Sequence, residues 1–178
     1  MHQKLPIEID PFRLARNGLE LEGLLAVKAM KRLSGGLIHN SSTVEVNVKF
    51  DVDKVLGTPY MEGNFKTSLP LKCERCGEAL NYNLNIHCSL GIINSETKIE
   101  GLAEQYEPWV IDHDEPILLS AIVEDELILA IPLAPKHEYR CLPAEAWVSG
   151  SEFEESDDEI EHNRKEISPF AVLGQLKK

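Results

Sequence analysis

Cys73-Glu74-Arg75-Cys76 is the sharpest chemical feature of this 178-residue chain. Two thiolates at C-x-x-C spacing, on a turn between strands, can hold one edge of a tetrahedral zinc ion. Closure needs two more ligands, and the chain offers His87, Cys88 and Cys141. No second C-x-x-C follows, so spacing alone does not complete a zinc ribbon. Strand alternation sets His87 and Cys88 on opposite faces, so at most one of them turns toward a site. A thioredoxin-like redox role would put the motif at a helix N-terminus, where a cysteine pKa falls; here it joins two strands. The spacing is compatible with a zinc knuckle and with a hairpin bearing unliganded thiols. The metal candidates are therefore Cys73, Cys76, Cys88 and Cys141, with a structural zinc as the possible cofactor.

Other polar groupings carry less. Asp112, His113, Asp114 and Glu115 are consecutive, and consecutive residues in an extended loop point different ways, which is not the geometry of acid–base catalysis. Glu124, Asp125 and Glu126 occupy adjacent helix positions that do not converge on one cation; they read as an exposed flank, solvated or partner-facing. The chain contains no G-x-S-x-G, P-loop, dinucleotide fingerprint, H-E-x-x-H or EF-hand loop. Nothing in it reads as an enzyme.

The elements that must position the cysteines are strands. Residues 43–52 alternate apolar and polar, the pattern of a half-buried strand. Met61, Gly63, Phe65, Thr67, Leu69 and Leu71 share one parity, and Leu80, Tyr82, Leu84, Ile86, Cys88 and Leu90 share another. The C-x-x-C turn lies between these two runs, which predicts an antiparallel hairpin; Pro70 suits an edge or a bulge. Asp10-Pro11 opens a short helix ending near Gly18, and residues 19–25 suggest another strand. Residues 28–33 form a second brief helix, 94–107 a polar loop, and Asp114-Glu115-Pro116 starts a deeply buried helix running to Ala130. The fold class is α+β: a mainly antiparallel sheet, a few helices, one buried helix near 115–130, and a C-terminal helix. Residues 1–148 form the domain, 149–167 an acidic linker, and 168–178 an amphipathic helix with Phe170, Leu173 and Leu176 on its apolar strip. That strip either folds back on its own core or docks on a partner.

Charge narrows the partners. The net charge is −12, but residues 1–72 are net +2 while residues 101–135 are net −8. Broad phosphate-coating nucleic-acid binding is excluded; the acidic half suits a cationic neighbour or water. Arg13, Arg16, Lys28, Lys31 and Arg32 are the best local basic cluster for limited RNA contact. No apolar run approaches the roughly 18–20 residues of a membrane span, and the opening residues lack a signal-peptide core, so a cytoplasmic protein with no membrane partner is expected.

Cys73-Glu74-Arg75-Cys76-Gly77, the run Val123 to His137 with its Glu124-Asp125-Glu126 and Pro132-Leu133-Ala134-Pro135, Cys141, and the closing Ser168-Pro169-Phe170-Ala171-Val172-Leu173 together resemble the YceD family, bacterial large ribosomal RNA subunit accumulation proteins. Asp10-Pro11 to Ala15 and Leu21-Glu22-Gly23 fit as well; Ser168 stands where the family usually has Asn, and caps a helix equally. The resemblance implies a non-enzymatic ribosome-biogenesis factor supporting synthesis, processing or stability of 23S ribosomal RNA. Its partners would be the large-subunit rRNA or pre-ribosomal particle, met directly or through a basic ribosomal protein or assembly factor. The alternative from another class is a zinc-binding or redox-sensing regulatory module centred on Cys73 and Cys76.

Overall fold

Period-2 alternation builds the sheet. In the computed structural model, which describes residues 4–111, 117–143 and 146, the elements begin with β1 (Glu8–Ile9), α1 (Pro11–Arg16), β2 (Glu20–Ala26) and the single-turn α2 (Lys31–Ser34). They continue with β3 (Thr43–Val52), β4 (Pro59–Lys72), β5 (Ala79–Ile93), β6 (Glu107–Val110), β7 (Ile117–Leu118) and α3 (Leu119–Ala130). Among the described residues, β2-β3-β4-β5-β6 form one sheet in that order, and β1 pairs with β7 separately. This is the expected α+β fold with a mostly antiparallel sheet. Residues Met1–Cys141 make up one compact unit. The linker at 149–167, the helix at 168–178 with Phe170, Leu173 and Leu176, and the acids flanking His113 lie outside the described residues.

Register sorts the two faces. Val46, Val48 and Phe50 on β3 lie opposite Phe65, Gly63 and Met61 on β4, which in turn face Ile86, Cys88 and Leu90 on β5. Phe50, Met61, Phe65 and Leu69 are wholly buried and share a core with Ala15 of α1, Leu33 of α2, and Leu119, Ile122, Val123 and Leu127 of α3. Removing an aromatic of this kind costs about 3–5 kcal/mol. The other face is polar, and it sets Glu45 opposite Lys66 and Lys49 opposite Glu62, the favourable cross-strand pairing of charges.

Pro70 occupies the edge position that proline requires, although β4 is central. The β3 partner has ended by Lys66, so beyond it that side of β4 is locally an edge, and the Pro70 carbonyl accepts from Ile38 instead. Two features differ from the sequence pattern. The region 94–107 includes a 3-10 turn at Glu96–Gly101 and leads into β6, which runs parallel to β5 after a crossover. The buried helix starts at Leu119, because Ile117 and Leu118 are extended against Ile9 and Glu8.

The acidic run also needs correction. Glu124 is not on an exposed flank: it is 7% exposed and points into the fold. Its Oε1 accepts from the backbone N–H groups of Arg32 (2.6 Å) and Leu33 (3.0 Å), and its Oε2 lies 3.3 Å from the Arg32 guanidinium. Met30, at the N-cap of α2, supplies no side-chain acceptor, so a carboxylate from α3 does that job. Asp125 is exposed and pairs with Arg32 at 2.6 Å, while Glu126 is half-buried. The basic cluster is divided too. α1, with Arg13 and Arg16, packs on β3 and β4 where β2 begins, and Lys28, Lys31 and Arg32 follow its end; β2 keeps them about 20 Å apart.

Two outcomes are expected. Glu124→Ala should lower stability by about 1–3 kcal/mol in denaturant titration by orphaning two N–H donors, and Glu124→Gln by less. At the β3–β4 turn, the N–H groups of Leu56 and Val55, then the Tyr106 hydroxyl, hold the Asp53 carboxyl below its usual pKa. A depressed carboxyl stabilises the fold above the unfolded pKa and stops doing so as pH falls through the folded one. Between about pH 5 and about pH 3, wild-type stability should therefore fall more steeply than that of Asp53→Asn.

Candidate metal centre

Both hairpin turns flanking β4 share one backbone design. In Asp53–Thr58 the first N–H donates to the sixth carbonyl (2.9 Å), and the fifth residue, Gly57 at φ +68°, donates back to the first carbonyl (2.8 Å). In Cys73–Glu78 the same bonds recur at 2.9 and 2.8 Å, with Gly77 at φ +81°. A side chain with φ positive is strained, which is why glycine holds both positions. The turn also makes a pocket of N–H groups for the side chain at its first position. Asp53 Oδ1 fills it in one turn by accepting from Val55 and Leu56. The Cys73 sulfur fills it in the other, facing the N–H groups of Arg75 and Cys76. Burial pushes the Cys73 thiol up, but the N–H groups of Cys76, His137 and Arg75 outweigh it and bring the pKa down to about 6. A thiolate is the form that binds metal.

Two further side chains with ligand atoms arrive from the limb that follows α3. Pro132 prevents the helix from continuing, and the Glu74 N–H donates to the Pro135 carbonyl at 2.8 Å, laying the limb along the turn. His137 and Cys141 then meet Cys73 and Cys76, with all four ligand atoms within 4.8 Å of one another. Zinc–sulfur bonds near 2.3 Å and zinc–nitrogen bonds near 2.0–2.1 Å at tetrahedral angles imply edges of about 3.8 Å (S···S) and about 3.6 Å (S···N). Cys73 Sγ and Cys141 Sγ are 3.8 Å apart, and Cys76 Sγ and His137 Nδ1 are 3.5 Å apart. A Cys3His cluster of this geometry could hold a metal ion.

The histidine tautomer fits that use. His137 Nε2 lies 3.1 Å from the Ala79 carbonyl, an acceptor only, so Nε2 carries the proton. In the neutral ring, Nδ1 then presents its lone pair toward the sulfurs, the orientation that an outer-shell carbonyl imposes on metal-binding histidines. Burial raises the Cys141 thiol, yet Arg75 and then His137 turn its pKa downward. For Cys76, the Glu78 N–H lowers the pKa, but burial and the neighbouring Cys141 and Cys73 sulfurs leave it raised. His137 is raised, first by its pairing with Cys141.

Of the four cysteines, the structure brings together Cys73, Cys76 and Cys141 and leaves Cys88 out. Cys88 lies opposite Gly63, nine residues up β5 from Ala79 and thus about 30 Å from the turn. It is packed in the core: a Cβ at Gly63 would stand 2.7 Å from its sulfur. Burial, then the charge of Glu126, pushes its thiol up to about 12, the opposite of a ligand. His87 points to the polar face, 3.1 Å from Asn64 Oδ1. The fourth member of the cluster is His137, which the cysteine pattern overlooks; the spacing His137-x-x-x-Cys141 is the signal that matches it to C-x-x-C.

Comparison with known proteins identifies the family of the chain. Residues 61–177 match the family model described as large ribosomal RNA subunit accumulation protein YceD. A relative from Haemophilus influenzae named large ribosomal RNA subunit accumulation protein YceD is 33% identical over 178 residues, covering 98% of this chain and 97% of the relative. No solved structure matches the chain. With a family model matching most of the sequence and a relative similar nearly end to end, this chain belongs to the YceD family of large ribosomal RNA subunit accumulation proteins.

Proposed function

We propose that this chain is a non-enzymatic, cytoplasmic factor in large-subunit biogenesis, supporting synthesis, processing or stability of 23S ribosomal RNA, and that its Cys3His cluster holds one structural zinc. The observation that carries the first part is the end-to-end similarity to a protein named for large ribosomal RNA subunit accumulation. No helix among the described residues is long and apolar enough to cross a membrane.

Charge supports action through a protein partner with limited RNA contact. Residues 101–135 carry eight acids and no lysine or arginine, and a negative field repels phosphate. The N-terminal basic cluster divides into Arg13 and Arg16 on one side and Lys28 and Lys31 on the other, while Arg32 is engaged by Glu124 and Asp125. A divided set of this kind suits a few phosphate contacts better than a continuous track. With Glu124 turned inward, exposed Asp125, which also pairs with Arg32, and half-buried Glu126 are the acids of α3 that a basic ribosomal protein or assembly factor would meet. Phe170, Leu173 and Leu176 supply an apolar strip for the same kind of partner.

Zinc is supported by the donor set, by two edge lengths of a tetrahedron and by the tautomer of His137. Zinc would join the β4–β5 turn to the limb after α3, and it would do so as a structural ion, because four protein ligands leave no open position.

Crosslinking in cells, with identification of both RNA and protein, tests the assembly role. Basic large-subunit proteins or assembly factors should be recovered, and neutralising Asp125 and Glu126 together should reduce that recovery several-fold without lowering protein abundance. Crosslinks confined to rRNA would overturn the partner assignment, and an absence of both from pre-ribosomal particles would overturn the role itself. For the metal, protein purified without a histidine tag should carry about one equivalent of zinc, and His137→Ala or Cys76→Ser should lose it. Chelation should lower the wild-type melting temperature; zinc below about a tenth of an equivalent would count against the site.

A further inference from the structure

Arg75 lies between the two cysteines of the turn, at a position where C-x-x-C geometry alone asks for nothing in particular. Its side chain is nevertheless committed to the opposite half of the cluster. Arg75 Nε donates to Cys141 Sγ at 3.0 Å, and Nη2 donates to the His137 carbonyl at 2.8 Å and to the Tyr139 carbonyl. One guanidinium therefore addresses both ligands that come from the limb, Cys141 through its sulfur and His137 through its own main chain. A guanidinium presents its donors as a rigid planar fork, and an ammonium on a flexible stem cannot reproduce three such bonds in different directions.

The charge of the site points the same way. Three thiolates and a neutral imidazole around a divalent ion leave a net charge of about −1. Arg75 brings one positive charge that does not titrate in the working range, and its Nε places that charge directly on the Cys141 sulfur. A hydrogen bond to a ligating sulfur draws electron density from it and lowers its reactivity toward electrophiles, while partners of this kind commonly change metal affinity by about 10- to 100-fold.

We infer that Arg75 is a positioning residue of the metal centre: it locks the His137–Cys141 limb onto the C-x-x-C turn, neutralises the site and shields the Cys141 thiolate. This rests on the zinc reading above and deepens it. The role is distinct from the ligands' own, because it concerns the closing half of the site and bears most directly on the Cys141 sulfur.

The test uses full-length wild type, Arg75→Lys and Arg75→Met, with Glu74→Gln as a neighbouring exposed control. Zinc affinity is measured by competition with a chromogenic chelator. Alkylation of the zinc-loaded proteins by iodoacetamide is followed cysteine by cysteine by mass spectrometry. Affinity should fall about 10- to 100-fold in Arg75→Met and substantially in Arg75→Lys, with Glu74→Gln unchanged. Cys141 should become the fastest-alkylated ligand in both Arg75 variants, ahead of Cys73 and Cys76, a selectivity that general loosening of the fold does not produce. Circular dichroism establishes that the compared proteins are folded, and Arg75→Lys keeps the comparison open where Arg75→Met does not fold. Unchanged affinity in both variants, or equal acceleration at all three sulfurs, overturns the role of Arg75 and leaves the zinc site standing. Wild-type protein that binds no zinc overturns the metal reading, and this inference with it.

Discussion

The register between β4 and β5 is the constraint on which the core and the cluster both depend. Side chains alternate with a period of two, so a slip by one residue would send Phe65 and Leu69 into water and bring Lys66 into the core. The same slip would move Cys73 out of the pocket of N–H groups that stabilises its thiolate. Gly77 and the closing bond from Cys73 to Glu78 fix the turn, and the turn fixes the register all the way from Lys72–Ala79 to Tyr60–Gly91. Burial of Phe50, Met61 and Phe65 then makes that choice costly to reverse. Packing and the placing of Cys73 and Cys76 are thus specified by one pairing.

What the hairpin begins, α3 completes. The helix buries Leu119, Val123 and Leu127 on the sheet and sends Glu124 across to the start of α2. An unpartnered carboxylate would be expensive there; with two backbone donors and a guanidinium it becomes a cross-link between helices. Pro132 ends the helix close to the β4–β5 turn, so the next nine residues are delivered to the cysteines by geometry already set in the core. The site draws on residues 73 to 141, yet the search among unfolded conformations that this separation implies has been made by the sheet and α3.

The parts legible in the sequence are those whose pattern repeats. β3, β4 and β5 alternate over 10 to 15 residues, and their order around the C-x-x-C turn leaves an antiparallel hairpin as the economical arrangement. The short pieces were not legible. β1 and β7 are two residues each, and β6 is four residues including Pro108, too brief for any period to show. Within the site, C-x-x-C was visible because its spacing carries a known geometry, whereas His137 was hidden by counting cysteines alone. Cys88 had the right chemistry and the wrong strand position, which the register decides. Glu124 misled for a related reason: three successive acids look like a solvated flank, but successive helical residues are about 100° apart, and one of three can face inward.

The twin turns at the ends of β4 have a consequence for how this sheet comes apart. Each is closed around an acidic side chain whose pKa the turn lowers, Asp53 in one and Cys73 in the other, and each offers it the same pair of amide donors. Protons compete for both, and a metal competes for one. Acid therefore loosens the strand tip by tip, the cysteine end as pH falls through about 6 and the Asp53 end only at lower pH, while removal of a bound ion would fray only the cysteine end. The longest hairpin among the described residues is fastened like a strap with two buckles, one released by acid alone and the other by acid or, once an ion is bound, by its loss.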